Sequence, residues 1–474
     1  MKIDRRSFVV AAVVTALPSR LSAQGTAVLR PEDFGARGDG VTNDTSAFAA
    51  LGADLNRRGG GTISLAPGRT YTVGAQARGG PYGWTPSPIL ELRNLRLPLR
   101  IIGNGARLRC QPGLRFGVFD LGSGRALRRA MPNYRQNEIA SPYRAMIDIR
   151  GCRASIEVRD VELDGNLDRL QIGGPYGDTG WQIPASGLFL ADNYEPERIA
   201  NVLSHHHGQD GAMVDGDDRR SARSRFSRFV ARHNGRQGLS LVGGRGYDFE
   251  DCEFSHTGRS AIQSAPGAGV DIEAEGRKTI RDLTFARCRF ADNYGAGLVA
   301  DSGNSESARF SDCQFVGTTT WAAWPRKPRF AFDNCTFVGA ISNAHADSDP
   351  SRATRFTNCR FTDDPTLSPT GRIFSGDAEG GPIVNLGQSD NILFERCSFD
   401  LTGRAVLPWS WKAIYRDCTM RQRSAKMAMT KGKYLGSTTI SGPVDLYGSM
   451  IIGTLVVNGR RLPPGPVGGD IKPW

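Results

Sequence analysis

One six-residue stretch, FEDCEF at residues 249–254, decides the fold because its pattern returns along the chain. The pattern is an aromatic residue, two variable residues, a cysteine, one variable residue, and then a second aromatic residue or methionine. The later copies are FARCRF (285–290), FSDCQF (310–315), FDNCTF (332–337), FTNCRF (356–361), FERCSF (394–399) and YRDCTM (415–420). A base period of roughly 20–25 residues with longer insertions is typical of a solenoid, in which each repeat forms one coil.

In each copy the cysteine and the following aromatic residue alternate with polar residues, which predicts a short strand with one buried face. Stacked coils would place Cys252, Cys288 and Cys313 above one another, about 4.8 Å apart. The nine cysteines could instead form disulfides or bind metal, as in many exported proteins. Because their number is odd and the sequence has no CxxC or Cys/His ligand spacing, we expect small, buried core residues.

A second strand per coil follows a short turn and begins with glycine. It reads GLFL (187–190), GAMV (211–214), GLSL (238–241), GVDI (269–272) and GLVA (297–300). Two or three short strands per turn of about 22 residues indicate a right-handed parallel β-helix. The sequence therefore predicts an all-β, single-stranded right-handed parallel β-helix over residues 24–460, followed by a Pro/Gly-rich tail, 461–474. The content of 58 glycines also disfavours a helical bundle.

Two segments near the start carry a family resemblance: DFGARGDGVTNDT (33–45) and GGGTISLAPGRTY (59–71). They resemble the opening of the pectin-lyase-like superfamily, in the branch named for a pectate lyase/rhamnogalacturonase-type domain. That resemblance implies a β-helix and carbohydrate chemistry by lyases, hydrolases or epimerases, or a phage adhesin, and fold does not choose among them. The motifs of polygalacturonases and calcium pectate lyases are missing from the sequence, so no catalytic set is transferred.

The same region predicts a short N-terminal helix that caps the coil. Asp44 or Thr45 can serve as the N-cap of a helix over 46–56, which the following glycines end. Such a helix would cover the open end of the solenoid and protect its edge.

The first 23 residues resemble a twin-arginine export signal. Arg5 and Arg6 precede an apolar run, and Leu21-Ser22-Ala23 offers small residues for cleavage. An ordinary secretory signal with an incidental arginine pair is the alternative. Either signal predicts a periplasmic or secreted protein, and the first makes the twin-arginine export machinery a partner.

Net charge and hydrophobicity limit the classes of partner that we expect for this chain. The net charge of +12 favours a polyanion such as an acidic polysaccharide; the alternative is that the charge serves only solubility. The basic residues are scattered along the chain, which argues against nucleic acid. No run reaches the ~18–20 apolar residues of a membrane span, so we expect no stable membrane span. We also expect the protein to be a monomer.

Five of the six histidines lie between residues 205 and 256, and three of them share one register. His206, His233 and His256 each follow the cysteine-equivalent position by four residues, so they should stack on successive coils. They form either a polar ladder at a turn or part of a functional site. In the functional reading His233 is the general base, with a pKa near the reference value of about 6.5, and Arg236 pairs with a uronate carboxylate.

The strand after this turn points carboxylates outward at Asp215, Asp271, Glu273 and Asp301. Carboxylates about 5–10 Å apart suit the acid/base or nucleophile pair of a glycoside hydrolase, for which Asp271 and Glu273 are the candidates. The same four carboxylates could bind Ca²⁺, the one cofactor we consider, or form a solvated acidic face.

Two long insertions, 166–186 and 257–268, leave the same edge of the coil and are predicted to wall a groove around the histidines. The expected substrate-binding residues are His206, Asp210, Gln237, His256, Tyr176 and Trp181. The aromatic segments YGW (82–84) and WAAW (321–324) could also stack on sugars, or pack as loops. We expect an exported enzyme that cleaves an acidic polysaccharide by β-elimination. The alternatives are a glycoside hydrolase with paired carboxylates and a non-catalytic binding or adhesion module.

Overall fold

The structure is a computed structural model that describes residues 28–127, 138–174, 183–218, 222–376 and 380–468. The predicted export signal, together with Tyr176 and Trp181, lies outside the described residues. Nearly all described strands run parallel in three stacks along one solenoid, which confirms the predicted all-β parallel coil. No helix among the described residues is long and apolar enough to cross a membrane.

The first stack contains the strands that hold the first aromatic residue of each repeat. In chain order they are Val28–Leu29, Gly61–Ser64, Leu99–Cys110, Ile156–Asp164, Glu197–His205, Ser224–Arg232, Gln237–Glu250, Ile280–Ala286, Ala308–Ser311, Phe330–Asp333, Arg355–Thr357, Leu393–Glu395, Trp409–Arg416, Thr430–Leu435 and Met450–Ile451.

The second stack holds the second aromatic residue of each repeat. Four of the long strands just named continue into it, beginning with Leu99–Cys110. Its other members are Asp39–Asn43, Thr70–Val73, Glu253–Ser255, Arg289–Ala291, Gln314–Val316, Thr336–Val338, Arg360–Thr362, Ser398–Leu401, Thr419–Gln422, Ser437–Ser441 and Thr454–Val457.

The third stack is formed by the glycine-led strands. It also receives the first residues of Gln237–Glu250, Trp409–Arg416 and Thr430–Leu435. Its other members are Leu90–Arg93, Ala145–Arg150, Ser186–Ala191, Asp210–Asp215, Ala268–Ile272, Leu298–Ala300, Ala323–Pro325, Ile341–Ser342 and Val384–Gly387.

The core consists of side-chain ladders that run along the axis. Phe285, Phe310 and Phe332 stack with ring centroids 4.9 and 4.7 Å apart, and a second ladder through Phe290 and Phe315 runs beside it at 4.5 Å. Such offset stacks add to the area that the rings bury. In-register pairing of identical positions produces these ladders, because each coil repeats the pattern of the one before.

The cysteine column is present as predicted. All nine cysteines are free and buried. The thiols of Cys252, Cys288 and Cys313 each donate to a carbonyl oxygen of the preceding coil, at 3.6, 3.5 and 3.4 Å. They therefore pack as small core residues rather than as disulfides.

The N-terminal end is capped by the α-helix Thr45–Arg58, slightly longer than predicted. Its Asn56 side chain donates to the carbonyl of Glu91 and accepts from the amide of Arg93, both at 2.9 Å. It thus satisfies backbone groups on the free edge of the third stack. Asp44 occupies the N-cap position, but its carboxylate accepts from the amides of Arg37 and Gly38 instead of capping the helix.

The C-terminal end is closed by strands that turn back. Arg460–Leu462 pairs antiparallel with Thr454–Val457, and Gly465–Pro466 pairs antiparallel with Met450–Ile451. Ordered structure thus extends into the segment predicted as a tail.

A small five-stranded sheet lies beside the coil. Its strands are Gln76–Arg78, Trp84–Pro86, Arg115–Val118, Ile139–Ala140 and Gln171–Gly173. Trp84 is buried there against Phe119, with ring centroids 5.5 Å apart, so it packs as core rather than as a sugar platform. The remaining elements are the 3₁₀ helices Pro31–Phe34, Leu167–Arg169 and Pro365–Leu367.

Candidate functional site

The three histidines of the shared register do form a column. The rings of His206 and His233 stack 4.9 Å apart, and those of His233 and His256 stack 4.7 Å apart. All three residues have φ between 53° and 55°, at the turn between the second and third stacks. Histidine is among the residues that tolerate this left-handed conformation. The polar-ladder interpretation therefore describes their geometry.

The pKa of His233 departs from the predicted value. Burial, followed by the neighbouring His256 and His206, lowers the pKa of His233 from 6.5 to about 4. Protonation of one imidazole in a stack is unfavourable when the neighbouring imidazoles can also carry a positive charge. The expectation of a pKa near 6.5 is therefore wrong, and the role of His233 as general base stays a prediction.

The two long insertions do not stand apart as walls of an open groove. Ser260 in the second insertion donates to Asp168 in the first, at 2.7 Å, so the two insertions meet across the histidine column. Ile262 is buried, and the amide of Ser264 donates to the carbonyl of Gly235 at 2.8 Å. The second insertion thus packs down on the turn that was expected to be the groove floor.

A cleft of about 430 Å³ lies instead on the outward face of the third stack. Asp271 lies in the strand Ala268–Ile272, Glu273 directly follows that strand, and both residues line this cleft. Its remaining polar and ring-bearing lining residues include Pro266, Asp301, Ser302, Trp321 and Trp324. The WAAW segment therefore contributes two indole rings to the same cleft as the paired carboxylates.

Asp271 is the most perturbed carboxyl group in the cleft. It is 5 % exposed, and its Oδ2 accepts from the side-chain amide of Gln237 at 2.6 Å, while its buried Oδ1 has no hydrogen-bond partner. Burial, and then the nearby carboxylate of Glu273, raise the pKa of Asp271 from 3.8 to about 7. This carboxyl can therefore hold a proton near neutral pH.

A second buried carboxyl lies behind Asp271. Asp210 is fully buried, and burial raises its pKa to about 6 although the guanidinium of Arg236 opposes the shift. Arg236 Nη1 lies 3.7 Å from Asp210 Oδ2, and Ser240 Oγ donates to the same oxygen at 2.9 Å. Arg236 and Gln237 are therefore held in this internal network.

The structure does not join this network to the histidine column. Within the described ranges, no hydrogen bond or ion pair links His233 to Arg236, Gln237 or Asp271. The physical reason is the turn itself, because His233 ends one stack and Gln237 begins the next. The set predicted for β-elimination is thus not assembled.

The predicted Ca²⁺ ligands are not gathered either. Asp215 Oδ1 lies 2.5 Å from Lys278 Nζ and is paired with it. A full strand, Gln237–Glu250, separates the strand of Asp215 from that of Asp271 and Glu273. In the described part of the chain, the carboxylates Asp215, Asp271, Glu273 and Asp301 do not form a group with converging ligand atoms. The calcium set therefore does not match the structure.

Ser240 is a site residue that the sequence argument missed. Parallel register places Ser240 between Met213 and Asp271 in one outward column, and Trp324 follows Val299 in the same column. Aligning the outward positions of every glycine-led strand would have identified both residues. The apolar character of Met213 and Val299 obscured that column.

Comparisons with known proteins bear on the fold. Residues 145–337 match the family described as "Right handed beta helix region". No curated protein sequence matches the chain.

Solved structures similar to this chain include an epimerase module and a phage protein. One is the A-module of a mannuronan C-5 epimerase from Azotobacter vinelandii, with 16 % identity, a TM-score of 0.49, and coverage of 92 % of this chain and 99 % of that one. The other is an N-terminal fragment of gene product 12 of bacteriophage Phi29, with 13 % identity, a TM-score of 0.47, and coverage of 93 % and 74 %. Similarity this low says nothing of chemistry. The parallel ladders show that the fold is a parallel β-helix, and the match to the right-handed β-helix family covers its central part, residues 145–337.

Proposed function

We propose that the protein is a glycoside hydrolase that acts on a polysaccharide bound in the cleft of Asp271 and Glu273. The observation that carries this proposal is that the carboxyl groups of Asp271 and Glu273, two residues apart, line one cleft together with two tryptophan side chains. The hydrolase was the alternative to β-elimination at the level of sequence, and the geometry favours it.

The two carboxyl groups have environments that suit two roles. Asp271, with its raised pKa, is the general acid that protonates the glycosidic oxygen. Glu273 accepts from Ser302 Oγ at 2.5 Å and acts as the carboxylate partner, either as nucleophile or as base. The Cα atoms of residues i and i+2 in an extended segment are about 6.6 Å apart. Side chains at that spacing can bring their carboxyl groups to the ~5–9.5 Å over which paired carboxylates operate in glycosidases.

The cleft walls suit a sugar chain. Trp321 and Trp324 line the cleft, and Lys327 Nζ donates to the carbonyl of Gly303 at 2.7 Å, next to the lining residue Ser302. Burial lowers the pKa of Lys327, and the carboxylates of Asp301 and Glu273 oppose that shift. A cation at the rim and a net charge of +12 favour an acidic polymer. We propose that the substrate is anionic and that the protein meets it outside the cytoplasm.

Elimination has weaker support. It would need Arg236 or Gln237 to neutralise a uronate carboxylate, but both side chains already contact the buried carboxyls Asp210 and Asp271. Its base would be His233, whose lowered pKa weakens it as a proton acceptor.

The test is a screen of uronate-containing and neutral polysaccharides with the full chain. Hydrolysis releases reducing ends without new absorbance near 235 nm, whereas elimination produces unsaturated ends that absorb there. Reducing ends alone are expected. Absorbance would overturn hydrolysis in favour of elimination, and binding without either product would identify a non-catalytic binding module.

Once a substrate is found, Asp271→Asn and Glu273→Gln should each lower kcat about 10²–10⁴-fold, because each removes a proton-transferring or nucleophilic group. Asp215→Asn is the matched control, since Asp215 faces outward on the same stack but pairs with Lys278 away from the cleft. Its activity should stay within about twofold of the wild type. Equal loss in all three variants would contradict the assigned pair.

A further inference from the structure

A cluster that the proposed hydrolase does not use lies at the end of the second stack. Asp164 and His205 are direct partners in neighbouring parallel strands, and His206 follows in the left-handed conformation. That conformation turns the His206 ring to meet the His205 ring edge-on, with centroids 4.9 Å apart. The fold thereby brings Asp164 together with His205 and His206, which lie on the next coil.

Their ligand atoms converge. His205 Nδ1 lies 2.7 Å from His206 Nδ1 and 3.7 Å from the nearest carboxylate oxygen of Asp164. Among the described residues this trio forms a group whose potential metal-ligating atoms all lie within 4.8 Å of one another. We propose that Asp164, His205 and His206 bind one divalent transition-metal ion of the Zn²⁺ class.

The carboxylates that face Nε2 of each imidazole ring support metal binding by the Nδ1 atoms. His205 Nε2 lies 2.9 Å from Glu162 Oε1. The same carboxylate oxygen forms an ion pair with Arg107 Nε at 2.9 Å. A carboxylate on Nε2 fixes the Nε2–H tautomer of His205, so Nδ1 of His205 accepts a hydrogen bond from Nδ1–H of His206. A metal ion would replace this proton and bind both Nδ1 lone pairs, with the His206 proton moved to Nε2. His206 has a related arrangement, because its Nε2 faces Asp168 Oδ2 at 3.8 Å. Carboxylate–histidine–metal triads have this form.

The geometry needs only a small adjustment. Zinc–nitrogen bonds of about 2.0–2.1 Å in a tetrahedral site place two ligand nitrogens roughly 3.3 Å apart. The two Nδ1 atoms would therefore separate by about 0.6 Å to admit the ion. The donor set of two imidazoles and one carboxylate suits Zn²⁺ rather than Ca²⁺, which prefers oxygen ligands. Three protein ligands leave one position for water or another ligand.

Three arginines near the cluster oppose the ion. Arg232 is the strand partner of His205 on the next coil and is exposed to solvent, Arg109 is the strand partner of Asp164 on the preceding coil, and Arg107 forms an ion pair with Glu162. The carboxylates of Asp164, Glu162 and Asp168 offset these three charges.

The test is isothermal titration of untagged, chelator-treated full chain with ZnCl₂. One Zn²⁺ per chain is expected, and CaCl₂ should give no binding. His205→Gln and Asp164→Asn should each weaken Zn²⁺ binding at least tenfold, and Glu162→Gln about 10–100-fold through loss of orientation. The matched control is His345→Gln, because His345 also faces a carboxylate, Asp347 at 3.2 Å, but has no second histidine.

Co²⁺ added to the wild-type chain gives a reading that needs no variant, since tetrahedral Co²⁺ absorbs strongly in the visible range. No Zn²⁺ binding by the wild type, or binding that survives His205→Gln, would overturn the proposal. Both measurements are independent of polysaccharide cleavage, so the proposed hydrolase and this site can fail separately.

Discussion

At the scale of single residues, the cleft shows how burial sets protonation. Asp271 lies on the outward face of the coil and lines the cleft, yet its side chain is almost completely buried. One amide donor, from Gln237, does not replace the lost hydration of a charged carboxylate. The carboxyl of the folded protein therefore keeps its proton up to about pH 7. Above the ordinary pKa of 3.8, this retained proton lowers the stability of the folded state.

Asp271→Asn should make stability less sensitive to pH. The unfolded carboxyl ionises near its ordinary pKa of 3.8, whereas the folded one ionises near 7. Folding is thus penalised progressively as pH rises between these values, by at most about 4 kcal/mol at about 1.4 kcal/mol per pKa unit. The melting temperature of Asp271→Asn relative to the wild type should rise from pH 4 to pH 7 and then level off.

Differential scanning calorimetry across this pH range makes the comparison. His233, whose pKa is lowered to about 4, reduces stability as pH falls below 6.5. That effect is the same in both proteins and cancels in the difference. A difference in melting temperature that is constant from pH 4 to 8 would show that Asp271 ionises normally.

At the scale of elements, aromatic ladders hold neighbouring strands in register. Phe310 is fully buried between Phe285 and Phe332, with interplanar angles of 8° and 11°. A shift of one residue would move each ring to the outer face, so the ladder penalises slipped pairing as well as poor packing. At the N-terminal end of the coil, the helix Thr45–Arg58 covers the free strand edge.

Phe310→Ala should lower the free energy of unfolding by about 3–5 kcal/mol, because the truncation removes contacts with both neighbouring rings and leaves a cavity. Arg309→Ala, on the exposed face of the same strand, should change it by less than about 0.5 kcal/mol. Guanidinium chloride unfolding followed by circular dichroism measures both. Similar losses in the two variants would contradict the inward direction of Phe310.

At the scale of the whole molecule, the coil is one continuous core without covalent cross-links. Nine buried thiols extend from Cys110 to Cys418 and none is in a disulfide. A chain predicted for twin-arginine export, a route that carries folded proteins, needs no oxidising compartment to complete such a fold. Stability instead depends on the stacking of each coil on the next.

The native protein should therefore show almost no reaction with Ellman's reagent, and nine thiols should react after full unfolding in guanidinium chloride. Added reductant should leave the melting temperature unchanged. Native reactivity of several thiols would show that the column is open to solvent, and fewer than nine after unfolding would reveal a disulfide.

The sequence by itself determined the coil and its registers. Recurrence of one pattern forces identical positions above one another, so the cysteine column and the stacking of His206, His233 and His256 followed from alignment of the repeats. Outward positions such as Asp271 and Glu273 followed from the two-residue period of a strand.

Only the tertiary structure decided what these residues meet. In the described parts of the two insertions, Ser260 contacts Asp168, and the partners of Arg236 and Gln237 lie in the buried network rather than beside the histidines. Loop paths and side-chain rotamers depend on contacts between distant residues, which a repeat period does not specify. For the same reason the pKa of Asp271 follows from the shielding around it, which local sequence does not encode.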